Sequence, residues 1–319
     1  MRAFVTGGAG FVGSNLIDEL LLRDNSVVCY DNFSTGNQNF LKYAFDQPSK
    51  KFVSVIGDIL NEYLLTKAMS GCDIVFHFAA NADVRHGVDN TFKDLEQNTI
   101  GTANVLEAMR KNNIKKIVFI STGSIYGNTK VIPTPEDVAI PFQTSFYGAS
   151  KKAGEGLVQA YCYGFDFQAY IFRFVSILGE RYSHGHVFDF YKSLLKDPRE
   201  LTVLGDGHQK KSYLYVRDCI GAIMIALEKA NDKINVFNLG TDEYIEVNNS
   251  IKIITEELKI NPKLRYTGGE SGWVGDNPFI FLDCSKIRSL GWKPRLTIKE
   301  GILRTLDYLK NNQWILEEK

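Results

Sequence analysis

Short apolar runs alternate with longer amphipathic segments along the first half of the sequence, and this alternation constrains the fold more than any other feature. The apolar runs cover residues 2–5, 26–30, 52–56, 74–78, 116–120 and 167–172, and helical patterns lie near residues 11–23, 60–70, 91–112 and 146–164. Strands that alternate with helices predict an α/β fold, in which a doubly wound parallel sheet carries helices on both faces. Ligands of such a sheet bind at the carboxyl ends of its strands.

A glycine-rich turn directly follows the first apolar run. It reads Thr6-Gly7-Gly8-Ala9-Gly10-Phe11-Val12-Gly13 and leads into a helical pattern. Glycines at this spacing let the backbone turn sharply and approach a pyrophosphate, while the N-terminus of the helix directs free N–H groups toward the anion. The turn therefore predicts a Rossmann-type dinucleotide site, with contacts from Gly7, Gly10, Phe11, Val12 and Gly13.

Asp31 ends the second apolar run, 18 residues after Gly13. A carboxylate at about this distance binds the adenosine ribose in dinucleotide-binding folds. It would repel the 2′-phosphate of NADP, and no Arg or Lys occurs between Asp31 and Lys42 to hold that phosphate. The sequence therefore favours NAD over NADP.

A tyrosine and a lysine four residues apart, Tyr147 and Lys151, lie in a helical pattern, and Thr122 precedes Tyr147 by 25 residues. Side chains at this spacing share one face of a helix. We expect Lys151 to lower the pKa of Tyr147 by favouring the phenolate, which makes Tyr147 a candidate general base. Taken alone, a tyrosine and a lysine four residues apart are common on solvent-exposed helices. The pair therefore indicates a catalytic site only in combination with the dinucleotide motif.

These features together resemble the extended short-chain dehydrogenase/reductase family of nucleotide-sugar epimerases and dehydratases. The resemblance runs through nearly the whole chain, and the archaeal-type UDP-glucose 4-epimerases are similar around residues 179–185 and 272–276. Further matching motifs are Gly57-Asp58-Ile59, Phe78-Ala79-Ala80, Asn98, Arg173-Phe174 and residues 204–207, 212–218, 283–286 and 290–294.

The resemblance implies NAD as the cofactor, a nucleotide sugar as the substrate, and a role for each matching residue. The catalytic residues would be Tyr147, Lys151 and Thr122. Besides the glycine turn, Asp31, Tyr147 and Lys151, the implied cofactor contacts are Asn32, Ser34, Thr35, Gly36, Asp58, Ile59, Phe78, Ala79, Ala80, Ala82, Asn98, Ser121 and Val175. The implied substrate contacts are Thr122, Ser124, Tyr147, Ser176, His186, Val203, Lys211, Trp273, Asp276 and Ile280.

The residues after Thr122 favour one reaction within this family. The 4,6-dehydratases place an Asp-Glu pair there and the decarboxylases a Glu at the second position, whereas this chain has Gly123 and Ser124. The remaining chemistry is redox-neutral epimerisation at carbon 4 through a transient 4-keto sugar, with UDP-glucose and UDP-galactose as the expected pair. The open alternatives are an epimerase of another NDP-hexose or of UDP-N-acetylhexosamines, an NDP-4-keto-sugar reductase, and a cofactor-binding scaffold without activity.

Some substrate positions depart from the family pattern. Ser176 stands where many members have Asn, and Lys211 and Trp273 stand where they have Arg. A lysine can hold a phosphate, but it lacks the bidentate fork of arginine. Ile280, three residues before Asp283, occupies a position where a bulky Tyr excludes a 2-N-acetyl group in related epimerases.

The pattern also predicts the organisation of the chain. We expect a Rossmann domain over residues 1–174, with residues 213–240 packing back onto it, and a smaller nucleotide-sugar-binding lobe over residues 175–319. Apolar residues on the helices near 91–112 and 146–164 exceed what one sheet-facing side needs, and the corresponding helices of the family pair as a four-helix bundle. A homodimer is therefore expected, with Val105, Met109, Leu157, Ala160 and Tyr161 among these residues.

Composition excludes several other classes of protein. The 37 basic residues balance the 37 acidic residues, so nothing indicates nucleic-acid binding. The five cysteines are scattered without metal-ligand spacing, which predicts reduced thiols in a cytoplasmic protein and no metal site. The first apolar run begins at the N-terminus without a leader, and no run approaches the ~20 residues of a membrane span.

Overall fold

The structure is a computed structural model that describes residues 1–48, 50–81, 87–140, 142–270, 272 and 279–317. Its strands are β1 (Arg2–Thr6), β2 (Ser26–Asp31), β3 (Phe52–Ile56), β4 (Ile74–His77), β5 (Lys116–Thr122), β6 (Gln168–Phe174), β7 (Ser176–Leu178), β8 (Glu200–Val203), β9 (Lys210–Lys211), β10 (Tyr213–Tyr215), β11 (Ile234–Leu239), β12 (Ile245–Glu246), β13 (Lys263–Tyr266) and β14 (Phe279–Ile280).

The helices follow the amphipathic segments. They are α1 (Phe11–Leu22), α2 (Lys42–Phe45), α3 (Glu62–Ala68), α4 (Thr91–Asp94), α5 (Gly101–Lys111), α6 (Phe146–Phe165), α7 (His186–Lys196), α8 (Val216–Lys229), α9 (Val247–Leu258), α10 (Ser285–Ser289), α11 (Ile298–Asn311) and α12 (Trp314–Glu317). Short 3₁₀ helices cover Gln38–Leu41 and Gly123–Tyr126, and a π-helical stretch, Leu95–Ile100, joins α4 to α5.

Seven of the described strands form one sheet in the order β3-β2-β1-β4-β5-β6-β11, and every neighbouring pair is parallel. The strand order reverses between β1 and β4. In a doubly wound sheet the crevice at this reversal is where ligands bind. The predicted Rossmann-type α/β fold is confirmed, and every motif of the dinucleotide site lies at this edge.

Both faces of the sheet are covered because the strands are apolar on both sides. Along β1, the fully buried Ala3 and Val5 belong to one apolar cluster, with α1 and α8, and Phe4 belongs to the other, with α3, α5 and α6. Alternate side chains of a strand point to opposite faces, which explains this division. Fully burying a side chain such as Val5 or Phe4 contributes about 1.5–3 kcal/mol relative to exposure.

After β6 the chain forms short strand pairs that pack against helices. β7 pairs with β10, β8 pairs with β13, and β9 lies between antiparallel β12 and parallel β14. The longer helices after β6 are α7, α8, α9 and α11. β11 lies in the large sheet beside β6. The division at residue 174 stays a prediction.

The helix expected near residues 91–112 is present in three pieces, and its apolar residues do not all lie where the sequence analysis placed them. Val105 and Met109 are fully buried among α3, α5 and the sheet, so their assignment to an unpartnered face was wrong. The apolar side chains that α4, α5 and the π-helical stretch leave exposed include Leu95 and Ile100. In the described part of the chain, none of the helices has the length and apolarity needed to cross a bilayer.

Candidate active site

The turn between β1 and α1 has the shape of an anion cradle. Gly7 has a φ of +66°, and a Cβ on Gly13 would overlap the carbonyl oxygen of Gly7, so side chains are excluded at both positions. Gly10 caps α1 without a side-chain hydrogen bond, and the first turn of the helix contains no acidic residue. The first N–H groups of α1, on Phe11, Val12 and Gly13, therefore lack competing acceptors, which fits a diphosphate.

Asp31 lies beside this turn at the end of β2. Its carboxylate accepts the N–H of Ala9 at 2.9 Å and the N–H of Phe33 at 2.8 Å. Burial raises the pKa of Asp31, and the two backbone hydrogen bonds oppose that rise. Asp31 therefore shapes the turn while keeping lone pairs for ribose hydroxyls, since each carboxylate oxygen can accept a second hydrogen bond.

The next contacts line the edge of the crevice beyond β2 and β3. Asn32 donates from Nδ2 to Asp58 Oδ2 at 2.8 Å, which joins the ends of the two strands. Gly36 packs against Asp31, Ile59 is buried, and Ser34 and Thr35 are exposed on the loop after β2. These residues lie where the adenosine half of a dinucleotide would bind.

Asn98 connects the loop after β4 to the helices. Its Oδ1 accepts the N–H of Asn81 at 2.8 Å, and its Nδ2 donates to Ser150 Oγ at 3.0 Å and to Asp94 Oδ1 at 3.3 Å. This network ties Asn81 to the helices, and the contact of Asn98 with the cofactor stays a prediction. Phe78, Ala79 and Ala80 precede the network and are partly buried, whereas the predicted contact Ala82 lies outside the described residues.

Ser121 provides an independent indication of a bound group. It lies at the end of β5, and its buried Oγ has no hydrogen-bond partner among the described residues. A buried hydroxyl group without a hydrogen-bond partner destabilises the fold unless a ligand or a water molecule forms that hydrogen bond. Together with the glycine turn and Asp31, it indicates that the crevice fits a dinucleotide. Val175 is buried where β6 ends, and its contact with the cofactor stays a prediction.

The predicted catalytic residues Thr122 and Tyr147 meet at the end of β5. The Thr122 hydroxyl hydrogen-bonds Tyr147, accepts the N–H of Ser124 at 3.1 Å and lies 3.2 Å from Ser124 Oγ. Ser145 caps α6 by accepting the N–H of Gly148 at 3.0 Å, so Tyr147 stands in the first turn of that helix. Three hydroxyl groups therefore converge on one point.

Lys151 lies one turn farther along α6. Its side chain is buried, with Nζ 4.4 Å from the centroid of the Phe119 ring. Burial lowers the pKa of Lys151 to about 8, and the Glu155 carboxylate opposes this change. Lys151 therefore stays mostly charged at neutral pH.

The pKa of Tyr147 differs from the expectation. Burial raises it to about 12, the hydrogen bond with Thr122 lowers it, and the charge of Asp94 raises it. The sequence analysis expected a lowered pKa through Lys151, and for this structure that expectation was wrong because desolvation of the phenolate outweighs other effects. Tyr147 is therefore a phenol at neutral pH, ready to donate a proton, and its base form needs additional positive charge nearby.

The C-terminal lobe places Ile280 beside the catalytic turn. Its Cγ2 lies 2.8 Å from where a Cβ of residue 123 would be, so Gly123 leaves the space that Ile280 fills. The parallel pairing of β14 with β9 sets Lys211 opposite Ile280. Ser176 is exposed at the start of β7. The structure thus places Ile280 and Lys211 opposite each other on neighbouring strands, with Ile280 next to Gly123.

The other predicted substrate contacts differ in accessibility. The His186 ring lies 4.5 Å from the Tyr213 ring, its Nε2 contacts Ser250 Oγ at 2.6 Å, and its buried Nδ1 has no partner among the described residues. Burial lowers the pKa of His186 to about 3, which keeps it neutral. Val203 is fully buried and its carbonyl oxygen accepts the N–H of Thr267, so its contact with substrate stays a prediction that the structure does not favour. The predicted contacts Trp273 and Asp276 lie outside the described residues.

The sequence analysis missed one buried group near the site. Arg173 on β6 and Glu155 on α6 form an ion pair with 2.8 Å between NH2 and Oε2. The sequence indicates only that Glu155 follows Lys151 by four residues, which places the two side chains on one face of the helix. The pairing itself joins separate elements and has no local signature.

Comparisons with known proteins agree with this arrangement. The model of the NAD dependent epimerase/dehydratase family matches residues 3–240. The "Putative UDP-glucose 4-epimerase" of Methanocaldococcus jannaschii is 36% identical over 316 residues, which span 97% of this chain and 98% of the relative.

Two solved structures extend the similarity. The UDP-glucose 4-epimerase of Thermotoga maritima, solved with UDP-glucose, has a TM-score of 0.87 and 30% identity, covering 98% of this chain and 100% of that one. A UDP-glucuronic acid 4-epimerase variant from Bacillus cereus, in complex with UDP-4-deoxy-4-fluoro-glucuronic acid and NAD, has a TM-score of 0.88 and 28% identity, covering 98% and 99%. The chain therefore shares its whole fold with both epimerases.

Proposed function

This chain belongs to the NAD dependent epimerase/dehydratase family, and we propose that it interconverts UDP-glucose and UDP-galactose by inverting carbon 4 of the hexose. Its cofactor is NAD, which the crevice at the strand reversal fits. The reaction passes through a transient 4-keto sugar, and the hydride returns to the opposite face of the same sugar. The similarity to UDP-glucose 4-epimerases over nearly the whole chain supports this choice within the family.

The contact between Ile280 and Gly123 carries the proposal. A dehydratase of this family needs an acidic side chain at position 123, and here the Cγ2 of Ile280 fills the space that such a side chain would need. The hydroxyl groups of Thr122, Ser124 and Tyr147 remain beside it. This set can bind and deprotonate a carbinol, but it contains no acid to expel water from carbon 6.

Each side chain of the site has a separate role in the proposed reaction. Bound NAD supplies the hydride acceptor and donor. Tyr147 removes the proton of the 4-hydroxyl group and returns it in the reverse step, while Thr122 holds the same oxygen by hydrogen bonding. In this proposal the charge of Lys151 offsets part of the cost that burial imposes on the Tyr147 phenolate without outweighing it, and Ser124 contacts the hexose. Lys211 contributes a cation toward the diphosphate.

We also propose that the protein is a homodimer. Leu95 and Ile100 are 44% and 45% exposed on the π-helical stretch, which packs against α6, and α6 presents the exposed small residues Ala153, Gly156 and Ala160. A second copy that pairs the same helices would cover these residues and form a four-helix bundle. Light scattering of wild type should give twice the chain mass, and Ile100→Lys should weaken the dimer. The control is Leu195→Lys, on α7, which should leave the dimer intact. A wild-type protein that is monomeric at micromolar concentration would contradict the proposal.

A cytoplasmic location is proposed as well. All five cysteines are free and buried, which suits a reducing compartment. Fractionation of cells that produce the protein tests this location, and recovery outside the cytoplasmic fraction contradicts it.

The function is tested with a panel of sugar nucleotides. The purified protein, without added cofactor, is incubated with UDP-, GDP-, CDP- and dTDP-hexoses, and products are identified by NMR. The proposal expects UDP-glucose and UDP-galactose to interconvert fastest. A 4-keto-6-deoxy product, or turnover only with added reductant, would instead indicate a dehydratase or a keto-sugar reductase.

A further inference from the structure

A buried ion pair lies one helical turn beyond Lys151. Arg173 donates from Nε to Glu155 Oε1 at 3.0 Å and from NH2 to Oε2 at 2.8 Å. The two side chains are only 6% and 4% exposed. Two parallel hydrogen bonds between a guanidinium and a carboxylate fix the orientation of the carboxylate as well as its charge.

Arg173 is itself held by its remaining nitrogen. NH1 donates to the Tyr126 hydroxyl at 2.7 Å and to the Glu136 carbonyl oxygen at 2.8 Å, and the Tyr126 hydroxyl donates to Asn238 Oδ1 at 2.8 Å. Because β5, β6 and β11 all contribute to this network or lead directly into it, the guanidinium has one position. Glu155 therefore cannot turn away from the buried face of α6.

Glu155 and Lys151 share that buried face, since they are four residues apart on one helix. The charge of Glu155 raises the pKa of Lys151 against the larger lowering by burial. Among the described residues, the groups near Lys151 include Tyr147 on its own helix, the Phe119 ring of β5 and His77 of β4. Burial and the Lys151 charge lower the pKa of His77 to about 3, so His77 is neutral wherever Lys151 titrates.

We propose that Glu155, fixed by Arg173, is a positioning residue that keeps the ammonium group of Lys151 charged during turnover. The proposal rests on the proposed function, because Glu155 acts through a catalytic lysine. A pair that only stabilised the fold would change how much protein folds, but it would not change the pH at which the folded enzyme loses activity.

The first test is the pH dependence of kcat. Wild type should lose activity on the alkaline side as Lys151 loses its proton. In Glu155→Gln the alkaline limb should move to lower pH by about one unit, because an opposite charge at this range changes a pKa by 1–3 units. Glu257→Gln, which removes an exposed carboxylate paired with Lys310, is the control and should leave the limb in place. An unmoved limb in Glu155→Gln overturns the proposal.

A second variant covers the possibility that Glu155→Gln does not fold because it leaves Arg173 buried and unpaired. Glu155→Gln with Arg173→Gln replaces the ion pair by two amides that can bond to each other. This double variant should also move the alkaline limb to lower pH. A limb that stays at the wild-type position in the double variant overturns the proposal, because the unpaired arginine alone would then explain the single variant.

A readout without catalysis separates this inference from the proposed function. Burial lowers the folded-state pKa of Lys151 to about 8 from its ordinary value of 10.5. Between these values the unfolded chain binds more protons, so the contribution to stability rises with pH and is lost as pH falls through the folded-state pKa. In urea unfolding of the purified protein, the rise should begin at lower pH in Glu155→Gln. Identical curves count against the role of Glu155 even if wild type converts no sugar nucleotide.

Discussion

The Cγ2 atom of Ile280 lies 2.8 Å from the position at which residue 123 would carry a Cβ, so Ile280 and Gly123 are in direct contact. Gly123 follows Thr122, a proposed catalytic residue, at the end of β5, whereas Ile280 belongs to the two-residue strand β14. The contact joins β14 to the turn after β5, and it leaves no room for the first acid of a dehydratase at position 123.

Gly123→Ala should destabilise the protein by about 1–3 kcal/mol, the usual cost of an added methyl group in a packed site. The new Cβ would press on Ile280 and approach the Phe174 carbonyl oxygen at 3.3 Å. Ile280→Leu conserves volume and removes the Cγ2 methyl, so the double variant should lose less stability than the two single losses summed. Urea unfolding measures the three values, and additivity within about 0.5 kcal/mol would show that the contact carries no energy.

Tyr147→Phe should lower kcat by about 10²–10⁴-fold, the typical contribution of a positioned acid or base. Sugar-nucleotide affinity should change little, because the phenol acts mainly in the transition state. The matched control is Tyr163→Phe on the same helix, where Tyr163 is 79% exposed. Near wild-type turnover in Tyr147→Phe would show that another group is the base.

NAD should remain bound through purification and be released when the protein is denatured. Added NAD, but not NADP, should raise the melting temperature, because Asp31 repels a 2′-phosphate. Asp31→Asn keeps one acceptor oxygen and places its NH2 group against either the N–H of Ala9 or the N–H of Phe33, so it should retain less NAD. Asp46→Asn, an exposed change, is the control, and recovery of NADP from wild type contradicts the assignment of Asp31.

Ile280 should limit, without abolishing, activity on N-acetylated sugars. Ile is smaller than Tyr but stiff at χ1, and a steric filter of this kind is worth only about 1–3 kcal/mol. Ile280→Tyr should therefore reduce kcat/KM for UDP-N-acetylglucosamine more than for UDP-glucose. An equal loss on both substrates would mean that Ile280 contacts Gly123 without lining the sugar pocket.

The sequence was sufficient to predict the sheet, the glycine turn and the positions of Asp31, Thr122 and Tyr147, because each depends on local periodicity or on the carboxyl end of a strand. Packing between distant elements was not predictable. In the sequence, Val105 and Met109 look like apolar residues beyond those needed to face the sheet. In the fold they are buried in the same apolar cluster as Leu65 of α3. The two-residue strand β14 exists only through its pairing with β9.

The pKa values of the site residues could not be predicted from the sequence either. The spacing of Tyr147 and Lys151 indicates a shared helix face, yet the pKa of each depends on how completely the surrounding sheet and loops exclude water. The partner of Glu155 is 18 residues away on β6. Such pairings follow from the assembled fold, and no local pattern announces them.

Epimerisation at carbon 4 is tested most directly with UDP-glucose that carries deuterium at that carbon. The purified protein, without added NAD, should convert it to UDP-galactose with the deuterium still on carbon 4, because the hydride leaves and returns within one complex. ¹H and ²H NMR of the product in ordinary water measure the label. Loss of deuterium to solvent, or a product with unchanged configuration at carbon 4, would contradict the account.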